Sequence, residues 1–182
     1  MNGPIAKRFC AYLVALCCVV DSSLAQQKLD QLLVYGENFT FGVKEPPGWS
    51  GDITNAEKFQ SNVVLHESGQ PLDSTSGLIR IRLNEKVDEN TRADLEADMR
   101  EYRAQHPRIQ FKDTPAKHPN YLCLAKVFYV PGKFYEYVAY VNPGPKKPVL
   151  FSVSMNTQNS EASAKELEAF ESAIRSLTLL KP

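Results

Sequence analysis

Beyond its first 25 residues this 182-residue chain has one cysteine, Cys123, so no disulfide can form within the remainder. It has no excess of either charge: 21 basic and 21 acidic residues balance to zero. Loss of Lys7, Arg8 and Asp21 with a leader would leave a net charge near −1. A nucleic-acid binder would carry a basic stripe, and none is visible. Later in the chain there is no apolar run approaching the roughly 20 residues a membrane-spanning helix needs. Gly-x-Ser-x-Gly, a phosphate-binding P-loop and Gly-x-Gly-x-x-Gly are all missing, which removes the commonest signals for a serine hydrolase or a nucleotide enzyme.

Metal and acid–base chemistry have equally little to stand on. His66, His106 and His118 fall in no ligand spacing such as His-x-x-x-His. The acid groups Glu85/Asp88/Glu89 and Glu166/Glu168 read as a helix start and a solvated helix face. A working carboxylate pair needs a cleft that perturbs its two members differently. The expectation is no catalytic residue, no metal and no cofactor. Cys123, within YLCLAKVFYV, reads as a small buried apolar residue.

The amino terminus reads as an address. Lys7 and Arg8 precede the apolar run FCAYLVALCCVV, and the small pair Ser23 and Ala25 follows. This is the pattern of a secretory signal, with cleavage expected after Ala25. Cys17 and Cys18 make a lipid-anchored form the competing reading, disfavoured because Leu16 stands where a small residue belongs. The expected organisation is a signal over residues 1–25, a lead-in over 26–34 and one domain over 35–182, exported to a periplasmic or extracellular space.

Within that domain, FTFGVKEPPGWSGD (residues 39–52) opens as a strand and breaks at Pro46-Pro47-Gly48. The sole tryptophan, Trp49, then reads as a plug just past the strand end. Residues 62–66 and 78–83 read as strands, the second alternating Ile79, Ile81, Leu83 against Arg80 and Arg82. A helix is expected over Thr91–Gln105, capped at Asn90 or Thr91 and stopped by Pro107. Residues 109–112 read as a brief strand. A hairpin then turns at Pro131-Gly132, residues 149–156 form another strand, and a helix from about Glu161 to Leu177 buries Phe170, Ile174 and Leu177, with Ser160 as its cap.

Both faces of the hairpin are rich in apolar and aromatic residues. Six aromatics lie in it: Phe128, Tyr129, Phe134, Tyr135, Tyr137 and Tyr140. A sheet wetted on one side would alternate more sharply. The expected class is therefore α+β, an α/β/α sandwich with a central antiparallel sheet roofed on each side by a helix.

The F-x-F-x-V…P-x-G-W opening and the closing helix AFESAIRSLTL, with Phe170 and Leu177, resemble the PsbP-like superfamily (PsbP, DcrB and Mog-type proteins) over roughly residues 35–180. The resemblance implies the same α/β/α sandwich, no shared active site, and activity through binding protein partners. It also implies that Trp49 seats the first strand against the core. The candidate interaction residues are Arg80, Arg82, Tyr135 and Tyr137, since Arg and Tyr are enriched at interfaces. Lys146-Lys147 at a loop tip is a weaker candidate. The expected function is an exported, non-enzymatic protein-interaction domain, of which an accessory subunit of an envelope complex is one form. The alternative is a small-ligand carrier or small hydrolase with a pocket between sheet and helix. No partner, nucleic acid or oligomeric state is specified by the pattern.

Overall fold

The structure, a computed structural model, describes residues 31–72, 77–86, 89–158 and 160–181. The expected signal segment and its cysteines lie outside the described residues. The chain begins with the short strands β1 (Leu32–Tyr35), β2 (Thr40–Val43) and β3 (Trp49–Asp52). After a 3-10 turn at Ala56–Phe59 come β4 (Val63–Glu67), β5 (Ile79–Glu85) and helix α1 (Thr91–Gln105). Four strands follow in succession: β6 (Gln110–Asp113), β7 (Leu122–Val130), β8 (Phe134–Asn142) and β9 (Val149–Gln158). Helix α2 (Ala164–Ser176) and β10 (Thr178–Lys181) complete the order.

Local chemistry explains the boundaries. The Asn90 side chain accepts a bond from the Arg92 backbone N–H at 3.1 Å, capping α1. Ser163, rather than Ser160, caps α2, because Glu166 three residues on completes a reciprocal capping box. Pro131 and Gly132 turn β7 into β8, with Gly132 at φ 69° and the Lys133 N–H bonded to the Val130 carbonyl. The turn residue Gly48, at φ 77°, frees Trp49 to open β3.

The strands form two antiparallel sheets, not the single sheet of a sandwich. Seven strands run in the order β3-β4-β5-β9-β8-β7-β6, and three in the order β1-β2-β10. The α/β/α expectation is therefore wrong: the fold is mostly β, with ten strands and two helices among the described residues. The error has two physical sources. Residues 32–35, mostly within the expected lead-in, and 178–181, beyond the helix expected to end near Leu177, are strands that pair with β2. Neither LLVY nor TLLK shows the alternation that marks a half-buried strand. The second is that the hairpin's two-faced apolar pattern does not hold across the sheet, since β5 and β9 alternate sharply.

One face of the large sheet packs against α2 and the small sheet together. Phe41 meets Phe151 edge-on at 5.3 Å, and Tyr137 meets Phe170 at 6.1 Å. Trp49, Phe170 and Leu177 all lie in this core. The Trp49 indole N–H is buried without a hydrogen-bond partner among the described residues, a cost of about 1–3 kcal/mol that the ring's apolar burial must exceed. On the other face α1 lies over β7 and β8, where Leu95 joins Phe128, Val138, Tyr140 and Leu150. That helix does not roof β5, and the candidate site opens there.

His118 fastens the 114–121 segment to the end of α2. Its Nε2–H donates to the Leu177 carbonyl at 2.9 Å, and its Nδ1 accepts from the Asn120 and Tyr121 N–H groups. Both nitrogens are thus committed to the neutral ring, and burial holds its pKa below the ordinary histidine value. The unfolded chain binds the proton more readily, so this stabilisation is complete above about pH 6.5 and declines as pH falls below it. His118→Gln should flatten the pH dependence of stability between pH 7 and 5, read from denaturant midpoints. A slope unchanged by the substitution would refute the assignment. Cys123 is a different case. Burial pushes its thiol up to about 11, so it stays protonated and unreactive at neutral pH.

Candidate polar groove beside helix α1

The site begins with the alternation of two neighbouring strands. In β5, Ile79, Ile81 and Leu83 point into the main core while Arg80, Arg82 and Asn84 take the other face. In β9, Phe151, Val153 and Met155 are fully buried and Ser152 and Ser154 face the same way as the arginines. Register sets Arg80 opposite Ser154 and Arg82 opposite Ser152. Serine side chains are short, so this part of the sheet lies low between α1 and the turn before β4. A groove follows.

Three contiguous cavities make up the groove, with volumes of about 190, 450 and 460 Å³, and Arg82 lines all of them. Phe59, Gln60 and Ser61 form one lip; Asp98 and Tyr102 of α1 form the opposite wall. Gln60 sits at φ 52°, the one left-handed non-glycine among the described residues. There it ends the 3-10 turn, at a cost of roughly 1–2 kcal/mol for a side-chain-bearing residue.

Three charge-assisted bonds line this side of the groove. Glu136, 6% exposed, accepts from Arg80 Nη2 at 2.5 Å and from the Tyr102 hydroxyl. Asp98 accepts from the Tyr140 hydroxyl. Burial raises the Asp98 carboxyl above the ordinary carboxylate range, with the phenol's bond pulling the other way. Burial also raises both phenols, and the adjoining carboxylates add to it. Both tyrosines are therefore fixed donors at neutral pH. Arg82 differs from all of these: it is exposed and makes no hydrogen bond or ion pair among the described residues.

The four candidate interaction residues divide between the two faces of the sheet. Arg80 and Arg82 lie in the groove, Arg80 as an ion-pair partner and Arg82 as a free guanidinium. Tyr135 and Tyr137 project from the opposite face. Tyr137 is buried against Phe170, its hydroxyl accepting from the Ala162 N–H at 3.1 Å. Tyr135 stacks on Tyr129 at 5.5 Å. Lys146 and Lys147 lie in the connection between β8 and β9 and line none of the three cavities.

Ser152, Ser154, Glu136, Tyr102 and Asp98 escaped the sequence reading, and Tyr140 entered it only as one of the hairpin's six aromatics. The signal for the serines was present in LFSVSMN, where polar and apolar residues alternate one by one. A lone glutamate inside FYEYV, on the same parity as Val138 and Tyr140, marked a charge in need of a buried partner. Nothing local identifies the α1 residues, whose role depends on where the helix lies.

Among the described residues, no helix is long and apolar enough to cross a membrane. No group of three His, Cys, Asp or Glu among them is arranged to hold a metal ion. No family model matches the chain, and no curated protein matches it.

Proposed function

We propose that the protein is an exported, non-enzymatic interaction domain that docks a partner protein along the groove over β5 and β9. One observation carries the reading: the exposed Arg82, which makes no hydrogen bond or ion pair among the described residues, lines all three cavities, while Arg80 beside it is paired with Glu136. A guanidinium placed so offers planar, bidentate donors at no cost in broken internal pairs. The groove is long and open, whereas a small-molecule site encloses most of its ligand. Export rests on the leader-like residues 1–25. From the PsbP-like resemblance the proposal keeps only partner binding, since the sandwich it implied is overturned.

A photo-crosslinking amino acid tests the docking surface. Placed at Gln60, on the lip, it should give a discrete adduct with a protein of the native compartment, lost when Arg82→Glu is added. Placed at Gln110, exposed on the far edge strand, it should give none. Equal adducts from both positions would defeat the proposal. So would a metabolite co-purifying with the domain in native mass spectrometry and displaced by Arg82→Glu, which would establish the carrier reading instead.

A further inference from the structure

We propose that Asn38, in the turn between β1 and β2, is an acceptor for an N-linked glycan whose first sugar lies on the exposed ring of Tyr35. The assignment rests on the export reading above, since only a chain that enters a secretory compartment meets the transferase.

The sequence supplies the acceptor triplet. Asn38-Phe39-Thr40 is asparagine, a residue other than proline, then threonine, and no other asparagine in the chain opens this pattern. The fold carries the triplet where a bulky addition has room. Asn38 is exposed, in a tight turn closed by the Gly36 N–H donating to the Phe39 carbonyl at 3.0 Å. Phe39 turns inward: its ring lies where a Cβ on Gly36 would be, and it stacks on Phe41 at 6.1 Å. Phe39 is thus spent on the core, while Asn38 beside it stays in solvent.

An independent feature points to a sugar. Tyr35 is 72% exposed, the most exposed large apolar residue among those described. Register sets it directly opposite Thr40. The next pair along the ribbon, Val34 with Phe41, is buried, so Tyr35 and Thr40 share the outer face. The exposed ring and the triplet's threonine therefore stand side by side. The C–H face of a pyranose is apolar and carries partial positive charge, which suits the negative face of an aromatic ring. A first sugar on Asn38 would give Tyr35 the cover that the fold does not.

The transfer needs only the side-chain amide from this chain, and its donor is a lipid-pyrophosphate-linked oligosaccharide. A bond forms between Asn38 Nδ2 and the anomeric carbon, and the glycosyl–phosphate bond breaks. The amide gives up one proton and the lipid pyrophosphate leaves.

The test expresses the chain in a eukaryotic secretory host, with residues 1–25 intact or exchanged for an established leader. The secreted protein should carry a glycan that peptide N-glycosidase removes, converting Asn38 to aspartate in the peptide mass map. Asn38→Gln and Thr40→Ala should abolish the glycan, and Thr40→Ser should retain part of it. Stability then tests Tyr35. Protein trimmed to the first sugar by an endoglycosidase should melt roughly 2–4 °C above Asn38→Gln, the scale on which one aromatic contact moves a domain of this size. In Tyr35→Ala the glycan should still attach but leave the melting temperature unchanged. Secreted protein without a glycan would overturn the acceptor assignment. A glycan that stabilises Tyr35→Ala as much as the parent would overturn the sugar contact. Glycosylation with the exchanged leader alone would uphold Asn38 as the acceptor and refute export by residues 1–25.

Discussion

Replacing Phe170 by alanine should lower the unfolding free energy by about 3–5 kcal/mol, the range for emptying a fully buried aromatic site. Phe170 is 0% exposed and sits where three layers converge. It is carried by α2, meets Tyr137 of β8 edge-on, and belongs to the core that also holds Phe41 and Phe151. Truncation removes the ring's transfer free energy and leaves a void between the helix and two sheets that cannot all move inward together. Leu167, on the same helix but only half-buried, should cost clearly less when replaced by alanine. Urea midpoints of the two variants decide the matter. A loss below about 1 kcal/mol for Phe170→Ala would mean that α2 is not seated as described.

Arg80→Leu is the second large effect, expected at about 3 kcal/mol. Its partner Glu136 is 6% exposed, so removal of the guanidinium strands a buried carboxylate. Two features hold the value to the low end of the 3–5 kcal/mol range for breaking a buried pair. The Arg80 side chain is 33% exposed, so solvent already screens the interaction, and Tyr102 continues to donate to Glu136. Glu136→Gln should cost less, because the amide oxygen still accepts. Combining Arg80→Leu with Glu136→Leu should recover part of the loss, since neither charge is then left buried alone. Strict additivity of the two single substitutions would show that Arg80 and Glu136 do not act as a pair.

The groove's legibility in the sequence divides along the same lines as its energetics. Parity within a strand is local, so the shared face of Arg80 and Arg82 was readable from IRIRL, as were the two faces of the β7–β8 hairpin. The span of α1 was readable too, from its Asn90 cap and Pro107 stop. What could not be read was placement. Whether an arginine beneath a helix is covered, paired or free depends on which strands that helix crosses. α1 packs over β7 and β8 because its own short apolar stripe, Leu95 with Met99 and Tyr102, finds Phe128 and Val138 there. This leaves the serine-floored strands beside it open. Likewise the small sheet needs β1 and β10, from opposite ends of the chain, to meet at β2. Neither strand alternates, and neither announces its partner.

The two arginines also explain why the residue-type argument for an interface was incomplete. Arg and Tyr are common at interfaces, yet Tyr137 is spent on the core and Arg80 on Glu136. Only the side chains left over after internal pairing can greet a partner. In this fold Arg82 is such a residue, and its neighbours' bonds are what make it one.

Arginine-selective modification measures that distinction most directly. The native domain is treated briefly with phenylglyoxal and the labelled sites are mapped by peptide mass spectrometry. The account predicts rapid modification of Arg82 and strong protection of Arg80, with the protection lost in Glu136→Leu. Equal rates at the two positions, or an Arg82 more protected than Arg80, would contradict it.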